Sequence, residues 1–546
     1  MSDAALLTIP EALRAAANGC ARIDFHLEDG VQSRTAAEIL DRARGRAATL
    51  VERGVQPGDM VGLVGSNRPE WVEWAYGIWL AGGALVPLPA PVRLRDREAY
   101  AEQVRSLASA MTCVLVVAEP KYQEALGPEG TLAWDEPSTG RLPTQEPPSL
   151  DSTAIVLCTS GSTSMPKGAV ITHRAIAHRA GAHRAGAHRE SSRAQATWEL
   201  DGEVSWLPFF HTGGLLGIII PIYHGVVAHT LPAARFARDP LSWFRVISEV
   251  GGTGTGAASS AWLVALRAAE RTPEGIDLST VKSARFSLEM IDPDVLDLCV
   301  TAGARFRLSP SALWSGYGMS EGTGISSTTP GEGIHIETLD LDALVSTQRA
   351  VLADKGLTKR VASCGRLGAG VELRIVDAAG DVLGDREVGE IVVRTDTMMR
   401  GYLGQADSGL TPDGWFATGD VGYLANGELF ITGRVKEIII SRGHKYHPED
   451  VERAAAGGLG VTQDRCVAFS KPDGEGEVVI VVEAVDGIDP ATAPGVIRRA
   501  VGAAVGGLVM EVVVVTPDSI PRTPTGKMKR NEARHMLQAG TFDLAG

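Results

Sequence analysis

Thr159-Ser-Gly-Ser-Thr-Ser-Met-Pro-Lys-Gly-Ala-Val-Ile-Thr-His173 is the stretch on which the reading of this chain turns. Just before it, Ala154-Ile-Val-Leu-Cys158 is a short apolar run that reads as a buried strand. Thr159, Ser160, Gly161, Ser162, Thr163 and Ser164 are all Ser, Thr or Gly, and Pro166 and Lys167 follow. A loop of small residues leaving a strand end presents backbone N–H groups and hydroxyls without side-chain bulk. Such a loop can wrap an anion, and Lys167 adds a positive charge. Polyphosphate or an adenylate fits it; an ordinary Ser/Gly-rich surface loop has the same composition. The order G-x-x-x-x-G-K-[ST] is absent, so this is not that phosphate loop.

The chain has 546 residues, more than one hydrophobic core usually serves, so at least two domains are expected. It is 44% hydrophobic and 22% charged, as in a globular protein, and its net charge of −14 argues against a general nucleic-acid or anionic-membrane binder. The six cysteines are scattered without a C-x-x-C pair, which favours free thiols in a reducing, cytoplasmic compartment. No secretory signal is visible at Met1-Ser-Asp-Ala, and no apolar run is long enough to predict a membrane span.

Outward from the loop, residues 8–150 alternate helix-like and strand-like pieces. Ala36–Arg53 has helical spacing and closes at Gly54. Met60–Val64 reads as a strand, Pro69–Leu80 as a helix ending at Gly82-Gly83, and Ala84–Leu88 as another strand. This alternation predicts an α/β fold with a mostly parallel sheet. Residues 177–190 repeat Ala-His-Arg-Ala-Gly. His178, His183 and His188 are five residues apart, about 140° around a helix, so they do not line one face as a ligand pair does. A duplicated polar surface segment is the reading preferred over a metal site; a lid over the loop is the other possibility.

Further motifs follow in order. In Val204-Ser-Trp-Leu-Pro-Phe-Phe-His211-Thr-Gly-Gly-Leu, His211 is either the wall of an acyl pocket or a core histidine. In Trp314-Ser-Gly-Tyr317-Gly318-Met-Ser320-Glu321, an aromatic can stack on a base, and a hydroxyl and a carboxylate can hold Mg²⁺ through oxygen. Asp420, after Thr418-Gly, suits the acceptance of two ribose hydroxyls. Ile431-Thr-Gly-Arg434-Val-Lys436, the Gly443 loop and Pro521-Arg-Thr-Pro-Thr-Gly-Lys527 complete the series.

Together these stretches, over roughly residues 35–530, resemble the adenylate-forming superfamily of acyl- and aryl-CoA ligases, fatty acyl-AMP ligases, luciferases and peptide-synthetase adenylation domains. The Ser205–His211 stretch and residues 322–362, which resemble an insertion that disfavours CoA, are most similar to the fatty acyl-AMP ligases. The resemblance implies a large α/β N-terminal domain (1–435) binding adenylate and acyl group. A small mobile α+β domain (436–546) would swing about a hinge near Lys436. It implies that Thr159, Ser160, Gly161, Ser162, Thr163 and Lys167 hold phosphate, that Leu288, Glu289, Tyr317 and Gly318 border the adenine, and that Ser320 meets phosphate and Glu321 the Mg²⁺. Asp420 and Arg434 would hold the ribose and His211 would flank the carboxylate. Lys527 would bridge the carboxylate and α-phosphate, with the Gly443 loop serving the thioester step. The cofactors implied are ATP/AMP, Mg²⁺, and CoA or carrier-protein phosphopantetheine.

Three departures bear on the chemistry. Ser164 stands where the family loop has Gly, Phe286-Ser287-Leu288-Glu289-Met290 replaces a smaller Gly-Ala-Glu-Pro-like stretch, and Lys445 replaces an Asn. The expected function is therefore an acyl-activating ligase. The alternatives are an enzyme of the thioester step alone, supplied with acyl-adenylate by a partner adenylating enzyme, and a non-catalytic adenylate-binding module. Modest aromatic content (5%) and the fatty acyl-AMP ligase resemblance favour an aliphatic or bulky polycyclic acid, with CoA or an acyl carrier protein as acceptor.

Overall fold

Thr35 opens a seventeen-residue helix, Ala36–Glu52, by a reciprocal cap. Its hydroxyl accepts from the Glu38 N–H (3.2 Å), and the Glu38 carboxylate accepts from the Thr35 N–H (2.9 Å), satisfying two donors that a helix start leaves bare. The structure, a computed structural model, describes the chain apart from residues 1–5, 92–95, 137–146, 160–166, 186–200, 330, 406–407, 442–443, 472–475, 486–488, 507, 523–527 and 546; for 182–185 it describes the backbone alone.

Met60–Val64, Pro69–Leu80 and Ala84–Leu88 form the strand, helix and strand that the sequence predicts. Pro69 sits in the first turn, where its missing N–H costs nothing. The helix is buried all round: Trp71, Trp74, Tyr76 and Trp79 are fully covered. Buried indoles need acceptors, and the N–H groups of Trp74 and Trp79 donate to the carbonyls of Trp134 and Ala154, both at 2.8 Å. Glu73 on the same helix is surrounded by Arg34 (3.1 Å), Arg42 (3.5 Å) and Arg46 (3.4 Å), the pairing that lets a carboxylate stay buried.

The chain divides into two compact units. The first is Met1–Ile334, Cys364–Glu372 and Val393–Phe416. It holds a seven-stranded sheet in the order Gly401–Tyr402, Lys167–Thr172, Thr153–Thr159, Ala84–Leu88, Met60–Val64, Cys113–Ala118, Thr131–Ala133. Thr153–Thr159 runs parallel to Ala84–Leu88 and antiparallel to Lys167–Thr172. A second run of parallel strands is ordered Leu313–Tyr317, Ser283–Phe286, Gly254–Ala257, Glu203–Ser205, Val227–Thr230, Arg22–Leu27. Ligands of parallel sheets sit beyond the carboxyl ends of such strands, and Tyr317 and the Ser287–Met290 stretch lie there.

The first copy of the repeat differs from the surface segment expected. It lies on the helix His173–Ala185, which packs against the helices Ile9–Ala16 and Thr212–His224. With two neighbours covering it, Ala177 and Ala180 are buried, and Arg179 is turned inward with its Nε fully covered. The later copies, with the side chain of His183 and all of His188, lie outside the described residues.

The second unit is His335–Ser363, Leu373–Val392 and Ala417–Gly546. It thus reaches back well before Lys436, which lies in the short turn Val435–Glu437. Residues 322–362 are no long surface loop: they contain the strand Ile336–Asp340 and the helix Leu341–Thr347, capped by Asp340 on the Ala343 N–H at 2.9 Å. Leu339, Leu341, Leu344, Val345 and Ala350 share one buried cluster with Val451, Ala455, Ile480, Ile497 and Val501. The latter come from the helices Pro448–Leu459 and Ala493–Val505 and the three-stranded sheet Cys466–Ser470, Glu477–Glu483, Val509–Val515. Lys359 is buried there too, donating to Asp450 (2.6 Å) and to the Thr432 carbonyl (3.1 Å). Among the described residues no helix is long and apolar enough to cross a membrane. All six cysteines are free.

Candidate active site

The anion-loop stretch is a hairpin whose strands meet at Thr159 and Lys167; the Thr159 hydroxyl donates to the Lys167 carbonyl at 3.3 Å. Ser160, Gly161, Ser162, Thr163 and Ser164, between them, lie outside the described residues. Lys167 projects over the ring of Tyr402, its Nζ 4.6 Å from the centroid, a cation–π contact. The Tyr402 hydroxyl donates to Glu321 Oε1 at 2.9 Å. Burial, with the Glu321 charge beside it, raises the Tyr402 pKa, so the phenol stays a donor at neutral pH. Lys167, Tyr402 and Glu321 thus form one array, a cation and a carboxylate joined through a phenol. The sequence places Gly401-Tyr402 in the series of motifs but assigns Tyr402 no role. It arrives because Gly401–Tyr402 pairs with Val170 and Ala169, a long-range pairing with no local signal.

Ser320 stands next to this array, its hydroxyl 3.2 Å from that of Thr212. The two line a small cavity with Leu157, Leu215, Thr323 and Thr397. Glu321 belongs to no group of three or more His, Cys, Asp or Glu ligands among the described residues. A lone carboxylate suits Mg²⁺, which binds through one or two carboxylates and completes its shell with water and substrate phosphates.

His211 precedes the helix Thr212–His224. Asn67 holds this turn, donating to the Leu207 carbonyl (2.8 Å) and accepting from the Phe209 N–H (3.1 Å). Gly214 is required by packing: a Cβ there would lie 2.2 Å from the Pro208 carbonyl oxygen. The His211 Nε2 is buried without a hydrogen-bond partner, and burial lowers the pKa to about 4, so the ring is neutral. His173 and His26 are likewise lowered to about 4, each chiefly by burial, and His447 to about 3 by burial and the Lys359 charge. The unfolded chain takes up these protons near pH 6.5 and the folded chain only near 3 to 4. Their stabilisation is complete above about pH 6.5 and is lost as pH falls toward 4. The expected result is a lower urea midpoint at pH 5 than at pH 7.5, with His173 alone contributing up to about 2 kcal/mol. His173→Asn flattens that slope, and a midpoint that rises on acidification would refute the account.

Leu288 has φ +79 and is half exposed. A leucine in the left-handed region costs about 1–2 kcal/mol. Its Cδ2 faces Gly213, where a Cβ would lie 3.3 Å away. Glu289 caps a helix, its Oε1 accepting from the Ser260 N–H at 2.7 Å in the first turn of Ser259–Arg271. Tyr317 ends its strand and Gly318 follows on the surface. Leu288→Gly removes both the strain and the side chain: the expected outcome is a stability gain of about 1 kcal/mol and tighter ATP binding by calorimetry. Unchanged ATP affinity would dismiss Leu288 as an obstruction.

In the second unit, Asp420 and Arg434 face each other on the paired strands Phe416–Ala425 and Glu428–Arg434, with Nε to Oδ1 at 2.9 Å. Asp420 is nearly buried and the Arg434 side chain about half exposed. Lys445, on the strand His444–Tyr446, is exposed. Gly443 and Lys527 lie outside the described residues.

A cation, a carboxylate and hydroxyls so arranged can receive phosphate and Mg²⁺. Residues 13–403 match the profile of the AMP-binding enzyme family. The chain is 30% identical, over 95% of its own length and 91% of the relative's, to a long-chain-fatty-acid–AMP ligase of Mycolicibacterium smegmatis. It is 29% identical, over 94% and 92%, to a medium-chain-fatty-acid–[acyl-carrier-protein] ligase of Moorena producens. A structure from a study of fatty acyl-adenylate ligases of E. coli and L. pneumophila superposes with a TM-score of 0.89 at 26% identity, covering 98% of this chain and 99% of that one. The chain belongs to the AMP-binding enzyme family and is an ATP/AMP-binding, adenylate-forming ligase, with the large and small domains of that fold.

Proposed function

We propose that this ligase acts as a fatty-acyl-AMP-ligase-type enzyme. It joins a carboxylic acid to AMP with release of pyrophosphate, then passes the acyl group to the pantetheine thiol of a carrier protein in preference to CoA. The observation that carries the choice of acceptor is the burial of Leu339, Leu341, Leu344 and Val345 in one cluster with the helices Pro448–Leu459 and Ala493–Val505. Turning residues 436–546 alone about Lys436 would uncover these side chains, at roughly 1.5–3 kcal/mol each. That cost opposes the swing which opens a CoA channel. The relative of Moorena producens, named as an acyl-carrier-protein ligase, supports the same acceptor.

In this reading Thr159, Ser160, Gly161, Ser162, Thr163, Lys167 and Ser320 hold the phosphates. Leu288, Glu289, Tyr317 and Gly318 border the adenine, and Asp420 and Arg434 hold the ribose. Glu321 holds Mg²⁺, which neutralises phosphate charge when bound. Neutral His211 flanks the carboxylate without competing for it as a cation. Lys527 meets the attacking oxygen and the Gly443 loop serves the thioester step; a hinge at Lys436 alone is what the buried cluster opposes. The strained Leu288 favours a second reading in which ATP enters poorly and a partner enzyme supplies the adenylate. Two assays on the purified protein decide: acid-dependent pyrophosphate release from Mg-ATP, and thioester formation from synthetic acyl-adenylates with CoA or a phosphopantetheinylated carrier protein. Activity in both, with the carrier protein preferred, supports the first reading. Thioester without pyrophosphate release supports the second. Silence in both refutes each.

A further inference from the structure

Within the first unit stand two arginines to which none of the adenylation roles applies. Arg285 lies on the strand Ser283–Phe286, between Gly254–Ala257 and Leu313–Tyr317, inward of the strand ends that carry Leu288 and Tyr317. One neighbouring strand clears space for it with glycine: a Cβ at Gly256 would lie 2.9 Å from the Arg285 Nε. The guanidinium stands over the Trp314 ring, 5.6 Å from its centroid, and its Nη2 is 3.5 Å from Glu203 Oε1, too long for a strong charge-assisted bond. Arg179 comes from the helix His173–Ala185. Its Nη1 lies against Gly324, where a Cβ would be 2.1 Å away and where φ of +69 favours glycine. The Arg179 Nε is buried and has no hydrogen-bond partner.

No carboxylate among the described residues pairs with Arg179, and the one charge acting on it is that of Arg285; burial and that like charge bring its pKa down to about 10. A part-buried cation with its Nε covered, beside a second cation and without a counter-charge among the described residues, is costly to the fold. The first repeat copy therefore keeps a guanidinium inside at a cost that an arriving anion offsets. An aliphatic or polycyclic hydrocarbon body, the expectation from the sequence, offers these cations no counter-charge. Among the candidate phosphate groups, Thr159, Lys167 and Glu321 are tied to the hairpin end and Tyr402 by contacts that involve neither arginine.

We propose that the acyl pocket takes a dicarboxylic acid, whose second carboxylate, the one not activated, is received by Arg179 and Arg285. This rests on the adenylate-forming reading above and names its substrate class. Arg285 then exchanges a long contact with Glu203 for a close one with substrate, and Arg179 gains its missing acceptor.

The test is equilibrium binding of acyl-sulfamoyl-adenosines, stable mimics of acyl-adenylates, to the full chain. They are made in pairs of equal length, six to twelve carbons, ending in methyl or in carboxylate. The expected result is that at some length the carboxylate-ended member binds at least about tenfold tighter, as a charge-assisted pair gives. Arg179→Gln removes most of that preference and leaves the methyl-ended member within about twofold, whereas Arg179→Lys retains part of it. Arg285→Gln, on another element, gives the same readout should Arg179→Gln fail to fold. Equal or tighter binding of the methyl-ended members at every length overturns the proposal while leaving adenylate binding intact. So does an Arg179→Gln effect that weakens both members alike, since Arg179 then serves the nucleotide. Binding of neither member refutes the adenylate site itself, and this proposal with it.

Discussion

Lys527→Ala lowers acid-dependent pyrophosphate release by about a hundredfold, the scale of losing one positioned charge at a developing oxyanion. Thioester formation from supplied acyl-adenylate stays within about threefold of the parent, because the lost contact belongs to the other transition state. The segment carrying Lys527 is fixed at both ends. Before it, Arg522 meets Glu483 through two contacts of 3.0 Å, and the Ile520 N–H donates to the same carboxylate at 2.9 Å. After it, the Lys529 N–H donates to the Pro521 carbonyl at 2.9 Å, and Met528 bridges back to Arg522. Equal loss of both half-reactions would remove Lys527 from the role proposed for it.

Arg530→Met destabilises the second unit by about 3–5 kcal/mol, the cost of leaving buried charge unpaired. Arg530 holds Glu452 through Nε and Nη2, both at 2.8 Å, Glu449 through Nη2 at 2.9 Å, and Glu437 through Nη1. Glu452 is wholly buried and also accepts from the Ala468 N–H at 3.0 Å. Burial and the neighbouring Glu449 raise the Glu452 pKa, while the Arg530 charge opposes them. Without Arg530 the carboxylate must take a proton or leave the core. Urea unfolding at pH 7.5 checks this, and the double variant Arg530→Met with Glu452→Gln regains part of the loss. A loss below about 1 kcal/mol would mean that the cluster is solvated after all.

The elements legible in the sequence are those with local punctuation. Thr35 with Glu38, Pro69 and Gly82-Gly83 mark helix ends through contacts within a few residues, and those helices stand where expected. Lys167, Tyr402 and Glu321 come from three distant parts of the chain, and no spacing rule joins them. For a similar reason, the first copy of the repeat differs from the surface segment expected. A five-residue spacing excludes one histidine face but says nothing of the two helices that cover His173–Ala185 and turn Arg179 inward. The left-handed Leu288 was visible only as a bulky residue in a small-residue stretch; its backbone conformation is a property of the folded turn.

The buried cluster that joins residues 339–350 to residues 451–501 also sets an order of events during synthesis. The apolar side of Leu341–Thr347 emerges more than a hundred residues before its partners are complete. At roughly 5–20 residues per second, that segment waits on the order of 10–30 s with its leucines exposed. The interlocked core thus makes production of the chain sensitive to translation speed and to chaperones that shield short apolar helices.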